Sequence, residues 1–180
     1  TYFWNGNRSG KFADDLETYL EIPSDVVSFE QRPWMKSAET ADALVEAIES
    51  GAYRFVRANF AGGDMVGHTG RIDAATLAVE AVDLALARIK QAVEARHGTL
   101  VVSADHGNAD DMVERSADGS PKCNAVGMPQ WRTSHSLNPV PFYVMDFSGR
   151  GVSMRAGLSE AGLANVAATL LELLGYEAPA

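Results

Sequence analysis

Five residues have the types and positions to hold a cation: Asp64 and His68, four apart; Asp105 and His106, side by side; and His135. Carboxylates and neutral imidazoles together suit Mn²⁺ or Zn²⁺, whereas an all-oxygen set favours Mg²⁺ or Ca²⁺ and a thiolate set Zn²⁺. The mixture suits two ions better than one. The spacing of Asp64 and His68 places both on one face of a helical turn, although Gly67 also permits a looser loop. Neighbours on a regular strand face opposite sides of a sheet, so Asp105 and His106 must sit on a turn beyond a strand to share a site. Gly107 permits that turn, and Asn108 can hydrogen-bond within it.

Each of these residues also has an ordinary explanation. An Asp at a strand end commonly forms a turn or caps a helix, and a lone His is commonly a surface or satisfied core residue. The group is harder to explain that way, because three of the four histidines fall in strand-end segments. His97 stands apart, at a helix C-terminus where the dipole accounts for it. Cys123 has no partner at a ligand spacing and reads as a surface thiol. Trp4, Trp34 and Trp131 read as core or interface packing rather than pocket lining. Arg8, Arg71 and Arg132 lie in segments near the expected site, but surface arginines are common and none is assigned a ligand.

The elements that must position these residues alternate between strand and helix. A strand under way at Thr1–Trp4 gives way to a turn-rich loop over 5–10. Ser37 is a plausible N-cap for an amphipathic helix through Ala41, Leu44, Val45 and Ile48, ended by Gly51. Phe55–Phe60 reads as a strand broken by Gly62 and Gly63 just before Asp64. Ile72, Ala75, Val79, Val82, Leu86, Ile89 and Val93 make a helical stripe that ends at His97-Gly98. Thr99–Ala104 reads as a strand buried on both faces of a parallel sheet, and Asp105 follows it directly. The polar stretch 114–133 reads as a long surface loop. Val140–Met145 is a further strand, after His135, and Leu163–Leu174 a final helix closed by Gly175. Alternation of this kind predicts one α/β domain whose ligands gather at the carboxyl ends of the strands.

At 180 residues, the chain is long enough for one sizeable core. Its net charge of −9 opposes a nucleic-acid or anionic-membrane partner, so an anionic substrate must be met by local cations. One cysteine forms no internal disulfide, and no leader or long apolar run stands out, which leads us to expect the cytoplasm. The opening on a strand without Met suggests a piece of a longer protein.

Three ordered segments carry a resemblance: Asp64-Met65-Val66-Gly67-His68-Thr69-Gly70, Ala104-Asp105-His106-Gly107-Asn108-Ala109-Asp110-Asp111-Met112, and Ser134-His135-Ser136-Leu137-Asn138-Pro139-Val140-Pro141. They resemble the metal-binding signatures of the cofactor-independent (2,3-bisphosphoglycerate-independent) phosphoglycerate mutases, a family of the alkaline phosphatase superfamily. The opening Phe3-Trp4-Asn5-Gly6-Asn7-Arg8-Ser9-Gly10 and Ile22-Pro23-Ser24-Asp25 are similar to the plant and trypanosomatid branch. The resemblance implies a three-layer α/β sandwich with a mostly parallel central sheet. It implies interconversion of 3-phosphoglycerate and 2-phosphoglycerate, in glycolysis and gluconeogenesis, through a phosphoserine and two Mn²⁺ ions, with Zn²⁺, Co²⁺ or Mg²⁺ as substitutes.

By the same resemblance, Asp64, His68 and His135 hold the ion that binds the glycerate, while Asp105 and His106 hold the ion beside the nucleophile. Residues 1–180 would then be the C-terminal segment of the phosphatase-like domain. The nucleophilic Ser, a further Asp ligand, the inserted transferase domain with its substrate-binding arginines, and a Lys just before Thr1 would lie in the missing N-terminal half. No catalytic residue is therefore expected in this segment, which should fold alone but not turn over. Ser136 departs from the Thr that the family more often carries. The competing readings are another phosphomutase or phosphatase of the same superfamily, and a metal-binding module without a catalytic task.

Overall fold

The computed structural model describes residues 5–178, within which the elements run α1 (Ser37–Ser50), α2 (Gly62–Gly67), α3 (Ile72–Ala95), β1 (Thr99–Ser103), β2 (Phe142–Asp146) and α4 (Asn165–Leu173). The expected Thr1–Trp4 strand, and Trp4 itself, lie outside the described residues. Helix α1 ends where its glycine requires, with Gly51 in the left-handed region at φ 67°. Ser37 is its first helical residue and not its cap, a correction with a clear cause. The turn before it runs straight into the helix, so the Ser37 N–H is met by the Trp34 carbonyl at 3.1 Å and no side chain is needed.

Helix α3 packs against α1, α2 and β1. Ala75, Ile89 and Val93 of the expected stripe are buried, joined by Ala74, Ala78, Ala85 and Ala92, whereas Ile72 and Val79 are about half exposed. Small residues win because the neighbouring helix comes close. A Cβ on Gly62 of α2 would stand 3.5 Å from the Ala78 Cβ, already at van der Waals contact. Two packed clusters result. Val66, Ala74, Ala75, Ala78 and Met112 form the one beneath the site, and Ala41, Ala85, Ile89 and Val93 the one under α1.

The described residues carry only two strands of the expected sheet, and no parallel pair is among them. Among the described residues β1 pairs only with β2, antiparallel, with Val101 opposite Val144 and Thr99 opposite Asp146. A parallel pair needs a crossover, usually a helix. Here the chain between β1 and β2 instead doubles back through non-helical segments. Residues 99–102 are correspondingly half-buried and not enclosed on both faces. Residues 55–60 form no strand.

The stretch 114–133 is more ordered than a plain loop. It folds as a small meander with bridges Val113 to Trp131, Arg115 to Pro121 and Cys123 to Pro129, held by backbone bonds such as Gln130 N to Lys122 O at 2.8 Å. Trp34 and Trp131 are 48% and 39% exposed, so neither is a core residue within this chain. No helix among the described residues is long and apolar enough to cross a membrane.

Candidate metal centre

Helix α2 places Asp64 in its first turn and His68 just past its last, so the two side chains share one face, as their spacing predicts. His135 arrives from the far side of the 114–133 meander. The result is a triangle: Asp64 Oδ1 stands 3.1 Å from His68 Nε2 and 3.1 Å from His135 Nε2, and the two nitrogens are 3.2 Å apart. Metal–donor bonds of about 2.1 Å put adjacent donors roughly 3.0 to 3.4 Å apart in octahedral or tetrahedral geometry, so these spacings fit one cation.

The tautomer of His68 is fixed by its other nitrogen. Nδ1 lies 2.6 Å from the Thr133 carbonyl oxygen, which can only accept, so Nδ1 carries the proton. In the neutral ring Nε2 is then a bare lone pair directed at the triangle, as a ligand requires. The Thr133 carbonyl left no mark in the sequence, because any residue supplies one.

Arg132 holds the next part of this loop. It donates through Nη1 to Asp111 Oδ2 at 3.1 Å and through Nη2 to the His135 carbonyl at 2.9 Å. Its guanidinium is thus engaged within the protein. Arg71 is likewise paired, with Asp73 at 2.7 Å, and Arg8 lies over the Phe12 ring at 4.7 Å.

Asp105 and His106 follow β1 on a bend, the placement the sequence predicts. The His106 ring stacks on His135, with centroids 3.6 Å apart and planes 16° apart, so the second pair abuts the first triangle. Asp105 Oδ2 is 3.6 Å from His106 Nε2, and its side chain is 85% exposed. Among the described residues these two stand outside the three-donor group, which comprises Asp64, His68 and His135. A pair of donors is an incomplete site by itself.

The turn after His106 is stitched to the His135 loop. Ser136 N donates to the Gly107 carbonyl at 2.8 Å, and Asp110 Oδ2 accepts from Ser136 Oγ at 2.8 Å and Asn138 Nδ2 at 2.7 Å. Burial alone would raise the Asp110 carboxyl, but the donations from Asn138 and Ser136 outweigh it and hold the group below the usual carboxylate range. Nothing in its sequence position distinguishes Asp110 as a brace, apart from its place within a motif. His97, in the left-handed region at φ 52° beyond α3, takes no part in the centre.

Comparison with known proteins bears on this geometry. Residues 1–178 match the family model of the metalloenzyme superfamily. The chain is 52% identical over 183 aligned residues to the 2,3-bisphosphoglycerate-independent phosphoglycerate mutase of Trypanosoma brucei brucei, covering 99% of this chain and 33% of that protein. It is 50% identical to phosphoglycerate mutase 1 of the same type from Arabidopsis thaliana, covering 99% and 32%. Among solved structures it superposes on Leishmania mexicana phosphoglycerate mutase, studied at low cobalt concentration, with a TM-score of 0.96 at 50% identity, over 99% of this chain and 33% of that one. The chain therefore spans about a third of the length of the relatives it matches.

Proposed function

The chain belongs to the metalloenzyme superfamily, and from that premise we propose that it acts as the C-terminal segment of the phosphatase-like domain of a cofactor-independent phosphoglycerate mutase. The observation that carries the reading is the triangle of Asp64, His68 and His135, whose donors are spaced for one divalent ion. Identity near 50% to phosphoglycerate mutases across the whole chain supplies the substrate class. The Leishmania mexicana relative was studied with cobalt, which supports a divalent ion here; Mn²⁺, and two ions, are our finer assignment.

In this reading Asp64, His68 and His135 hold one ion, and Asp105 and His106 contribute to a second, completed by ligands outside this chain. Bound divalent ions would neutralise phosphoryl charge and favour ionisation of an attacking hydroxyl. The chain's own residues do the arranging. Thr133 keeps the His68 proton on Nδ1, so that Nε2 stays available. Arg132 and Asp110 hold the loop that carries His135, and the stack of His106 on His135 keeps the two donor sets adjacent. Because the net charge of −9 repels an anionic substrate, local cations are needed to admit a phosphoglycerate. The nucleophilic Ser is assigned to the rest of the protein, and so is the work of retaining glycerate beside it. The cytoplasm is the expected compartment.

The test uses the full-length protein with Mn²⁺ supplied, assayed against 3-phosphoglycerate with enolase coupling and, separately, against ribose phosphate and an aryl phosphate. Isomerisation of the phosphoglycerate is expected to dominate. Hydrolysis of the aryl ester or mutase action on the pentose without phosphoglycerate turnover would replace this reading with a sister activity of the superfamily.

A further inference from the structure

Asn108 belongs to the turn that carries Asp105 and His106, yet its side chain reaches to α2. Nδ2 donates to Asp64 Oδ1 at 2.7 Å and lies 3.3 Å from the Asp64 backbone carbonyl. The residue is 5% exposed, and its own Oδ1 is buried without a partner. Leaving an amide oxygen buried and unmet is costly, so the placement calls for a compensating role. The orientation of the amide follows from chemistry, since the reverse would set its oxygen against a carboxylate that can only accept.

Two further facts bear on that role. The oxygen that Asn108 grips is the same one that stands 3.1 Å from both His68 Nε2 and His135 Nε2. Gly67, in the last turn of α2, has no side chain where the amide lies, and a Cβ built there would collide with Asn108 Oδ1. Close approach of the amide therefore depends on glycine at that position.

We infer that Asn108 is a positioning residue: it fixes the Asp64 carboxylate with Oδ1 towards the two imidazoles and ties that donor set to the turn bearing Asp105 and His106. The inference rests on reading Asp64, His68 and His135 as a metal centre. Without the Nδ2 bond the carboxylate is free to rotate, and ordering it again must be met from the binding energy of the ion.

The decisive variant is Asn108→Leu in the full-length protein, which keeps a similar volume and removes the donor. Metal-free wild-type and variant proteins are titrated calorimetrically with Co²⁺, with the cobalt absorption bands and the thermal midpoint of the metal-free protein recorded in parallel. The variant should bind the ion at the triangle about 10- to 100-fold more weakly, with altered cobalt bands and a metal-free midpoint close to wild type. Should Asn108→Leu fail to fold, Gly67→Ala decides instead, since it retains Asn108 but pushes the amide away, and it should show the same loss of affinity and change of spectrum. Unchanged affinity and spectrum in the folded variant overturn the inference while leaving the metal centre standing. A wild-type protein that binds no ion overturns both.

Discussion

His106 lies face to face with His135, ring centroids 3.6 Å apart, although the two residues arrive from different loops. This contact sets the Asp105 and His106 pair, which we propose contributes to a second ion site, against the triangle of Asp64, His68 and His135. The substitution His106→Phe preserves a flat ring for the stack while removing a ligand. In the full-length protein it should abolish one equivalent of bound metal and leave the ion at Asp64, His68 and His135 in place. Loss of both equivalents would mean that the two sets are not separable as described.

Gly70 sits in the left-handed region at φ 69°, with Trp131 Cβ and Thr133 Cγ2 only 3.2 and 3.3 Å from where its own Cβ would stand. Gly70→Ala therefore combines backbone strain of about 1 kcal/mol with pressure on the residue whose carbonyl holds His68. Denaturant unfolding should register the destabilisation, and metal affinity should fall with it. Wild-type values for both would show that the Thr133 loop yields freely.

Ala78 is fully buried where α3 meets α2. Ala78→Leu should cost about 1 to 3 kcal/mol by overpacking, because Gly62 leaves no room on the facing helix. Leu84 is 69% exposed on the same helix, so the opposite change there, Leu84→Ala, serves as the near-neutral control in the same chain. Thermal unfolding of the two variants side by side is the check, and equal midpoints would argue against the close α2 to α3 approach.

Asp146 pins the end of β2. It accepts from Ser148 Oγ at 2.6 Å and Thr99 Oγ1 at 2.7 Å, and these bonds, Ser148 first, lower its carboxyl from the ordinary 3.8 to about 2. A depressed carboxyl stabilises the fold above its unfolded value, and that contribution disappears as pH falls from 3.8 through about 2. Asp146→Asn should reduce stability at neutral pH and flatten the pH dependence across that window. Acid unfolding followed by circular dichroism would count against the assignment if both proteins lost stability with the same slope.

Asp64, His68, Asp105, His106 and His135 stood out as candidate donors because chemistry confines such donors to a few residue types, and of the five the structure brings Asp64, His68 and His135 within reach of one ion; the strand expected before Asp64 does not form. Helix ends at Gly51 and Gly175 were legible for a similar reason, since left-handed backbone selects glycine. The buried face of α3 was legible only in part, at Ala75, Ile89 and Val93. Its alanines carry little hydrophobic signal, and which side of the helix is buried depends on a close neighbour that only the folded structure supplies. The pairing of β1 with β2 was hidden too, because a continuous apolar run such as Leu100-Val101-Val102 points to a parallel neighbour, while the antiparallel partner is brought in by the fold of the chain between them. The bracing by the Thr133 carbonyl, and the reach of Asn108 beyond its own turn, depend on where two loops meet.

One titration bears most directly on the metal centre. Chelator-treated full-length protein and its His68→Ala variant are titrated with Mn²⁺ by calorimetry at a pH where the imidazoles are neutral, since protonated rings cannot ligate. The account predicts that the variant loses one equivalent of bound ion, the one held by Asp64, His68 and His135, while retaining its fold. Unchanged stoichiometry and affinity in His68→Ala would contradict it.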